Sequence, residues 1–352
     1  MKLYPNVSIL FCVWSLSVLT IFYFGFSSFP HSGLFPNDFV KNLANWDGGH
    51  YLGIAKEGYS QKYQYAFFPL YPLAIRVLSQ LTQNFLAAAI LISLVSTFLG
   101  INLLYKLVAL DFDKKIAEKA VTAFLFFPTS FFLLTAYSEG LFFLLAVATF
   151  YFLRKNKLFW ATVAASFASA TRLVGLAVVA GLLIEVWTTQ GMNRKNWYIL
   201  LAPLGFVIYC IYLYHQTGDP LYFITAENHW QRTLVVPGVG FWETLRQLVS
   251  QGVNTNFNVL VDFFFAIFGV GFALRSFRFL PSGLASYSLF AIGIPLLSPT
   301  LLSMPRFLLP VFPIFILMAL IKRPLIQCSL QTFSLMLLAI FTALFITGYW
   351  VS

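Results

Sequence analysis

The sequence predicts an all-α fold, a polytopic bundle of membrane helices, and three observations carry that prediction. Of 352 residues, 59% are apolar and only 10% are charged, with a mean hydropathy of +0.80, whereas soluble domains carry about a quarter charged residues. Apolar runs recur along the whole chain, about eleven of them able to cross a bilayer singly or as tight pairs. The formal charge of +10 falls in the connections between those runs. Too few charges remain to solvate a soluble domain, which excludes a soluble enzyme, a disordered chain and a coiled coil.

In chain order the runs lie near 7–26, 85–107, 120–135, 140–153, 159–170, 173–189, 197–214, 258–274, 283–302, 307–321 and 330–350. The first is preceded by Lys2 and followed by no small-residue cleavage site, so it reads as a retained helix. Residues 120–153 and 159–189 are pairs joined by a few residues, hence helical hairpins that return to their starting side. The runs form one domain, 1–352, interrupted by two long connections at about 27–84 and 215–257. Cys12, Cys210 and Cys328 are odd in number, far apart and embedded in apolar runs. They form neither a disulfide framework nor a thiolate site, and read as small core residues.

Sidedness follows from the basic residues. A cytoplasmic N-terminus puts 14 of the 22 Lys and Arg on the inner side, among them Lys2, Lys114, Lys115, Arg154, Arg194 and Arg275, with only Asp111, Asp113, Glu118 and Glu185 as inner acids. The inner balance is then +10, and the outer side, with 8 bases and 8 acids, sums to zero. Every inner loop obeys the positive-inside rule. The basic excess is therefore explained by orientation and by attraction to anionic lipid heads of the bilayer. The inner loops are too short to form a nucleic-acid groove. Both long loops and all four histidines fall outside, so chemistry is expected on the outer face. The location implied is the plasma membrane of a prokaryote, or the endoplasmic reticulum membrane of a eukaryote.

The first outer loop carries the segment Asn45-Trp46-Asp47-Gly48-Gly49-His50-Tyr51, which runs on as a short helix to Tyr59. Asp47 stands where a helix N-cap is expected, which is a sufficient structural reading. Beyond it, Tyr65 to Leu81 is amphipathic and suited to the membrane surface, with Pro69 and Pro72 preventing an earlier helical start.

Trp46-Asp47, His50-Tyr51-Leu52, Gly58-Tyr59 and Ala66-Phe67-Phe68-Pro69-Leu70-Tyr71-Pro72 resemble the first luminal loop of the PIG-V family, mannosyltransferases that add the second mannose of GPI anchors. Phe127-Pro128-Thr129-Ser130, Ala136-Tyr137-Ser138-Glu139-Gly140 and Ala170-Thr171-Arg172 resemble its next blocks in the same order, over residues 45–175. The chain departs from the family at Leu173-Val174-Gly175, where Ser-Asn-Gly is commoner. Gly218-Asp219-Pro220-Leu221 with Trp230, and Pro305-Arg306-Phe307-Leu308-Leu309-Pro310, are similar to later segments, the second to an arginine-containing stretch of many GT-C glycosyltransferases.

The resemblance implies a GT-C-like membrane glycosyltransferase with amphipathic helices in its outer loops. It would transfer mannose from a polyprenyl-phosphate-linked sugar to a glycan or glycolipid acceptor, with inversion. Such a displacement needs one carboxylate as base and cations for the leaving phosphate. Asp47 is then the base and Arg306 the first phosphate ligand, with Arg172 the second. Each has a plainer alternative: Arg306 snorkelling to lipid phosphates, Arg172 capping helical carbonyls. Glu139 either favours the following helix N-terminus or hydrogen-bonds the acceptor or a loop arginine. His50 either bonds near the site or packs. His229 and Trp230 either contact sugar or pack the second loop. Asp219 before Pro220 reads as a turn signal, and Asp262, just inside a span, as a functional suspect.

No cofactor is implied beyond the lipid-phosphate donor, and the histidine spacing gives no metal site. A divalent ion enters only if Glu139 or Glu57 approaches Asp47. A transporter or lipid flippase is the rival class, but it would place charges at mid-membrane, where this chain has almost none.

Overall fold

A computed structural model describes residues 4–33, 35–252 and 257–351. Lys2 and positions 253–256 of the second outer loop lie outside the described residues, which contain helices and turns and no strand. The helices run α1 (Pro5–Ser28), α2 (Asp47–Glu57), α3 (Leu70–Thr82), α4 (Phe85–Asp111), α5 (Lys114–Leu125), α6 (Glu139–Arg154), α7 (Leu158–Thr171) and α8 (Gly175–Gln190). They continue as α9 (Leu204–Thr217), α10 (Tyr222–Ala226), α11 (Val239–Gln251), α12 (Phe257–Phe279), α13 (Ser282–Gly293), α14 (Met304–Leu308), α15 (Pro313–Ala319) and α16 (Pro324–Ile346).

Among the described residues, five segments are long and apolar enough to cross a membrane: α1, α4, α12, α16 and Trp197–Thr217, which contains α9. The remaining runs of the eleven expected are shorter or broken, and prolines account for the breaks. Residues 120–135 are not one helix. After α5 the chain passes Pro128 and re-forms only a 3₁₀ turn at Ser130–Leu134. Residues 307–321 are likewise split, α14 ending before Pro310 and α15 restarting at Pro313. Ser282–Leu297 is a short apolar helix with Pro295 in its terminal 3₁₀ turn. The tight hairpin is seen at α7 and α8, which are joined by Arg172–Val174 and pack together.

The described chain forms two compact units. The first holds residues 1–58, 71–154 and 315–351, and the second 59–70 and 155–314. In the first, α4 packs along α6 at glycines: a Cβ on Gly140 would stand 2.7 Å from the Ser93 carbonyl oxygen, so only glycine permits that approach. In the second, α8 packs on α13, where the buried Glu185 carboxylate accepts the Gly283 N–H (3.1 Å) and so satisfies one of the helix's open donors. The cysteines are not core residues. Cys12 and Cys328 are exposed on α1 and α16, the surface a spanning helix turns to lipid, and Cys210 is half-buried.

Candidate active site

The start of α2 departs from the expected cap. Trp46, not Asp47, occupies the N-cap position, with φ 58° and ψ −120° and no side-chain cap hydrogen bond. A bulky side chain at such angles stores roughly 1–3 kcal/mol of strain, which surrounding contacts must hold. Those contacts include the Trp350 ring, edge-on at 5.0 Å. Asp47 is the first residue of α2, half-buried, where the helix dipole favours a carboxylate. His50, half-buried, follows three residues on and shares that helix face.

The N-terminus of α2 is docked onto the apex between α5 and α6. The Ala136 N–H donates to the Leu43 carbonyl at 3.0 Å, the Tyr137 hydroxyl donates to the Asn45 carbonyl at 2.9 Å, and the Tyr51 and Ser138 hydroxyls are 2.9 Å apart. Gly48 sits at the contact, where a Cβ would lie 3.3 Å from the Ala136 carbonyl oxygen and 3.4 Å from the Tyr137 ring. At the other end of α2, Arg76 of α3 donates to the carbonyls of Ala55 (2.6 Å) and Lys56 (3.3 Å), stopping the last turn from fraying.

Behind this apex lies a buried hydroxyl network. Ser93 donates to the Tyr137 carbonyl at 2.9 Å, and Tyr71 meets Ser93 Oγ at 3.0 Å and donates to the Ala89 carbonyl at 3.1 Å. Burial, with Tyr51 and Glu139 adding to it against the Ser93 hydrogen bond, holds the Tyr71 phenol well above its ordinary pKa. Glu139 is fully buried as the first residue of α6, close enough for its charge to act on that phenol. The first unit therefore brings together the Trp46–Tyr51 and Ala136–Glu139 blocks. Glu57 is not part of this group: it sits ten residues along α2, about 15 Å by helical rise, exposed and paired with Lys56 at 3.6 Å.

The second unit gathers the later motifs. Its strap, residues 59–70, is held by Tyr209, whose hydroxyl donates to the Tyr65 carbonyl at 2.6 Å inside a cluster of Tyr65, Phe68, Leu213 and Phe223. Burial pushes the Tyr65 phenol up. His229 stacks on Tyr63 of the strap at 4.3 Å, and Trp230 meets Phe67 edge-on at 5.6 Å. The 215–257 connection thus packs on part of the 27–84 connection. Leu221 N–H donates to Asp219 Oδ1 at 2.8 Å, so Asp219 makes the expected turn.

Arg172 is the C-cap residue of α7, half-buried, and its charge reaches the Tyr287 phenol. Arg306, in α14, is only 7% exposed. That is too little for a side chain snorkelling to lipid phosphates. The buried Asp262 carboxylate accepts the Met304 N–H at 3.0 Å and fixes the start of the turn carrying Arg306. Arg232, which the sequence did not single out, lies over the Phe307 ring at 4.7 Å and donates to the Leu302 carbonyl at 3.0 Å. Its place two residues after Trp230 was the only signal. Among the described residues no three His, Cys, Asp or Glu side chains come together as a metal-ion group.

Residues 26–214 match the family model described as Mannosyltransferase (PIG-V). The chain belongs to the PIG-V mannosyltransferase family. It is 36% identical over 114 residues to GPI mannosyltransferase 2 of Drosophila pseudoobscura pseudoobscura, covering 29% of this chain and 25% of that protein. To GPI alpha-1,6-mannosyltransferase 2 of Homo sapiens it is 29% identical over 155 residues, covering 41% and 31%. The chain thus matches about a quarter to a third of the length of these relatives. The PIG-V match includes Asp47, His50, Glu139 and Arg172, while His229, Trp230 and Arg306 lie beyond it. With five helices of spanning length and this membership, the chain is a multi-pass membrane protein.

Proposed function

We propose that the chain transfers mannose from a polyprenyl-phosphate-linked sugar to a glycan or glycolipid acceptor at the outer membrane face. The acceptor hydroxyl attacks the anomeric carbon as the bond to the phosphate oxygen breaks, and configuration inverts. Asp47 takes the hydroxyl proton. The phosphate leaves with the bonding electrons as a dianion, its second pKa being about 6, and so needs cations and no acid. Arg306 is assigned to that phosphate, with Arg172 as a second ligand. The wider bundle is read as GT-C-like, about eleven crossings with the shorter helices included, its N-terminus cytoplasmic.

The observation that carries this reading is the placement of Asp47. It is half-buried at the head of a helix pinned at both ends, next to a strained Trp46, at the first helical position and not at the N-cap. Removing a general base typically lowers turnover by about 10²–10⁴-fold. Asp47→Asn in purified, lipid-reconstituted protein should therefore lose transfer from polyprenyl-phosphate mannose by that order while keeping its thermal midpoint. Parental transfer by a folded Asn variant would remove Asp47 from the role. Arg306→Ala should weaken donor use, and unchanged donor binding would remove it from the phosphate site. Orientation is tested with a single cysteine at the exposed Gln61, since Asn45 in the motif is buried. An impermeant thiol reagent should label it from outside intact cells.

A further inference from the structure

The short helix that carries Arg306 has an unusual start. Ser303, the residue before α14, is 2% exposed and left-handed, at φ 69° and ψ 24°, and its side chain makes no cap hydrogen bond. An N-cap residue is ordinarily extended, and serine enters the left-handed region only against a steric cost. A helix of five residues has too few hydrogen bonds of its own to offset that cost. Contacts from elsewhere in the second unit must therefore hold Ser303.

Those contacts grip the two peptide groups on either side of it. The Leu302 carbonyl accepts from Arg232 Nη2 at 3.0 Å, and the Met304 N–H donates to Asp262 Oδ1 at 3.0 Å. Each peptide group is planar, so fixing the direction of both sets φ and ψ of the residue between them. The same Arg232 guanidinium lies over the Phe307 ring at 4.7 Å. Arg232 thus touches the chain both before and after Met304-Pro305-Arg306, and the buried Arg306 stands between its two contacts.

Arg232 is itself fixed. Its backbone N–H donates to the Glu227 carbonyl at 3.2 Å, and Nη1 stands 3.8 Å from Glu227 Oε2. His229, on Tyr63, and Trp230, on Phe67, anchor the turn between them. Three residues on, the Val235 N–H donates to the Leu297 carbonyl at 2.8 Å, so the 227–235 segment is tied to 297–307 at two places. A planar guanidinium can bond a carbonyl, face a carboxylate and lie on a ring at once.

We propose that Arg232 is a positioning residue: with Asp262 it keeps Ser303 left-handed, and so presents Arg306 to the donor phosphate in one orientation. The role of Arg306 rests on the transferase reading above, whereas the hold on Ser303 does not.

The test uses the full chain in lipid nanodiscs, with binding of polyprenyl-phosphate mannose and amide exchange over residues 303–309 measured on the same samples. A 1 Å misplacement can cost about a hundredfold, so Arg232→Gln should weaken donor binding at least about tenfold, with exchange about tenfold faster across that stretch. Glycine is left-handed at no steric cost, so adding Ser303→Gly to Arg232→Gln should recover about threefold or more in binding and slow the exchange again. A lost phosphate ligand or a generally loosened fold gains nothing from that change. On an Arg306→Ala background, Arg232→Gln should add less than about twofold, because a residue that acts through another is not additive with it. Should Arg232→Gln not insert, Phe307→Leu removes the ring beneath the guanidinium and carries the same expectations. Parental exchange in Arg232→Gln, no recovery with Ser303→Gly, or a further tenfold loss on the Arg306→Ala background overturns the inference. Parental donor binding in Arg306→Ala counts against the transferase reading, while exchange and its recovery still decide the hold on Ser303.

Discussion

Two adjacent glycines allow the placement of Asp47 to be tested without touching the carboxylate. Gly48 and Gly49 both lie in the first turn of α2, and alanine there would gain up to about 1 kcal/mol of helix propensity. Their surroundings differ. A Cβ on Gly49 would meet only the Ala44 carbonyl oxygen at 3.6 Å, an ordinary contact. On Gly48 it would meet Ala44 Cβ at 3.2 Å, the Ala136 carbonyl oxygen at 3.3 Å and the Tyr137 ring at 3.4 Å, so α2 must shift by a few tenths of an ångström from the apex. Overpacking of this kind costs typically 1–3 kcal/mol, so propensity and clash nearly cancel for Gly48→Ala, and stability should change by about 1–2 kcal/mol at most. Catalysis is less tolerant, since a 1 Å misplacement can cost about a hundredfold. Gly48→Ala should therefore lower turnover severalfold, and Gly48→Val more, whereas Gly49→Ala should keep the parental rate and raise the thermal midpoint slightly. The assay is mannosyl transfer with thermal unfolding on the same samples. Equal losses at the two positions, or full turnover in Gly48→Val, would refute the docking of α2 as the device that positions Asp47.

Two further substitutions probe the second unit. Tyr209→Phe removes the hydroxyl donated to the buried Tyr65 carbonyl at 2.6 Å and should destabilise the protein by about 1–3 kcal/mol, the cost of an unsatisfied buried acceptor. Thermal unfolding should show it, with amide exchange faster across residues 59–70. Gly283→Ala would place a Cβ 2.6 Å from the Gly181 carbonyl oxygen and against the Glu185 carboxylate. Forcing α8 and α13 apart should cost about 1–3 kcal/mol or more, and an unchanged unfolding midpoint would mean that these helices do not pack as described.

The helices were legible where composition alone decides them. The apolar stretches of α1, α4, α12 and α16 are long and unbroken, and their bounds differ little from the runs read in the sequence. Runs 120–135 and 307–321 look continuous because hydropathy ignores the missing N–H of proline, whereas Pro128, Pro310 and Pro313 divide them. The site was legible in its motifs and not in its local geometry. Asp47 reads as a cap because Asp is a common cap. Its displacement to the first helical position follows from Trp46 at φ 58°, a conformation that a tryptophan does not advertise. Snorkelling stood as an alternative for Arg306 because only tertiary contacts reveal its burial, and the support from Asp262 spans 42 positions of sequence.

A chain with so few charges must still satisfy the backbone of its irregular segments, and tyrosine carries much of that task. Tyr59, Tyr137, Tyr209 and Tyr287 donate to the carbonyls of Phe67, Asn45, Tyr65 and Pro310 at 2.6–2.9 Å. Each acceptor lies outside an α-helix, where a buried carbonyl has no ladder partner. A phenol delivers one hydrogen bond with a large apolar ring and no charge to desolvate, whereas an arginine or lysine in the same place would cost several kcal/mol of desolvation. Fewer charged side chains are needed for that task, with Arg76, Arg232, Glu185 and Asp262 sharing it. Among the described residues Glu139, Glu185, Asp262 and Arg306 are nonetheless buried, and each is retained against that desolvation cost. This is the physical reason to look for chemistry at Glu139 and Arg306.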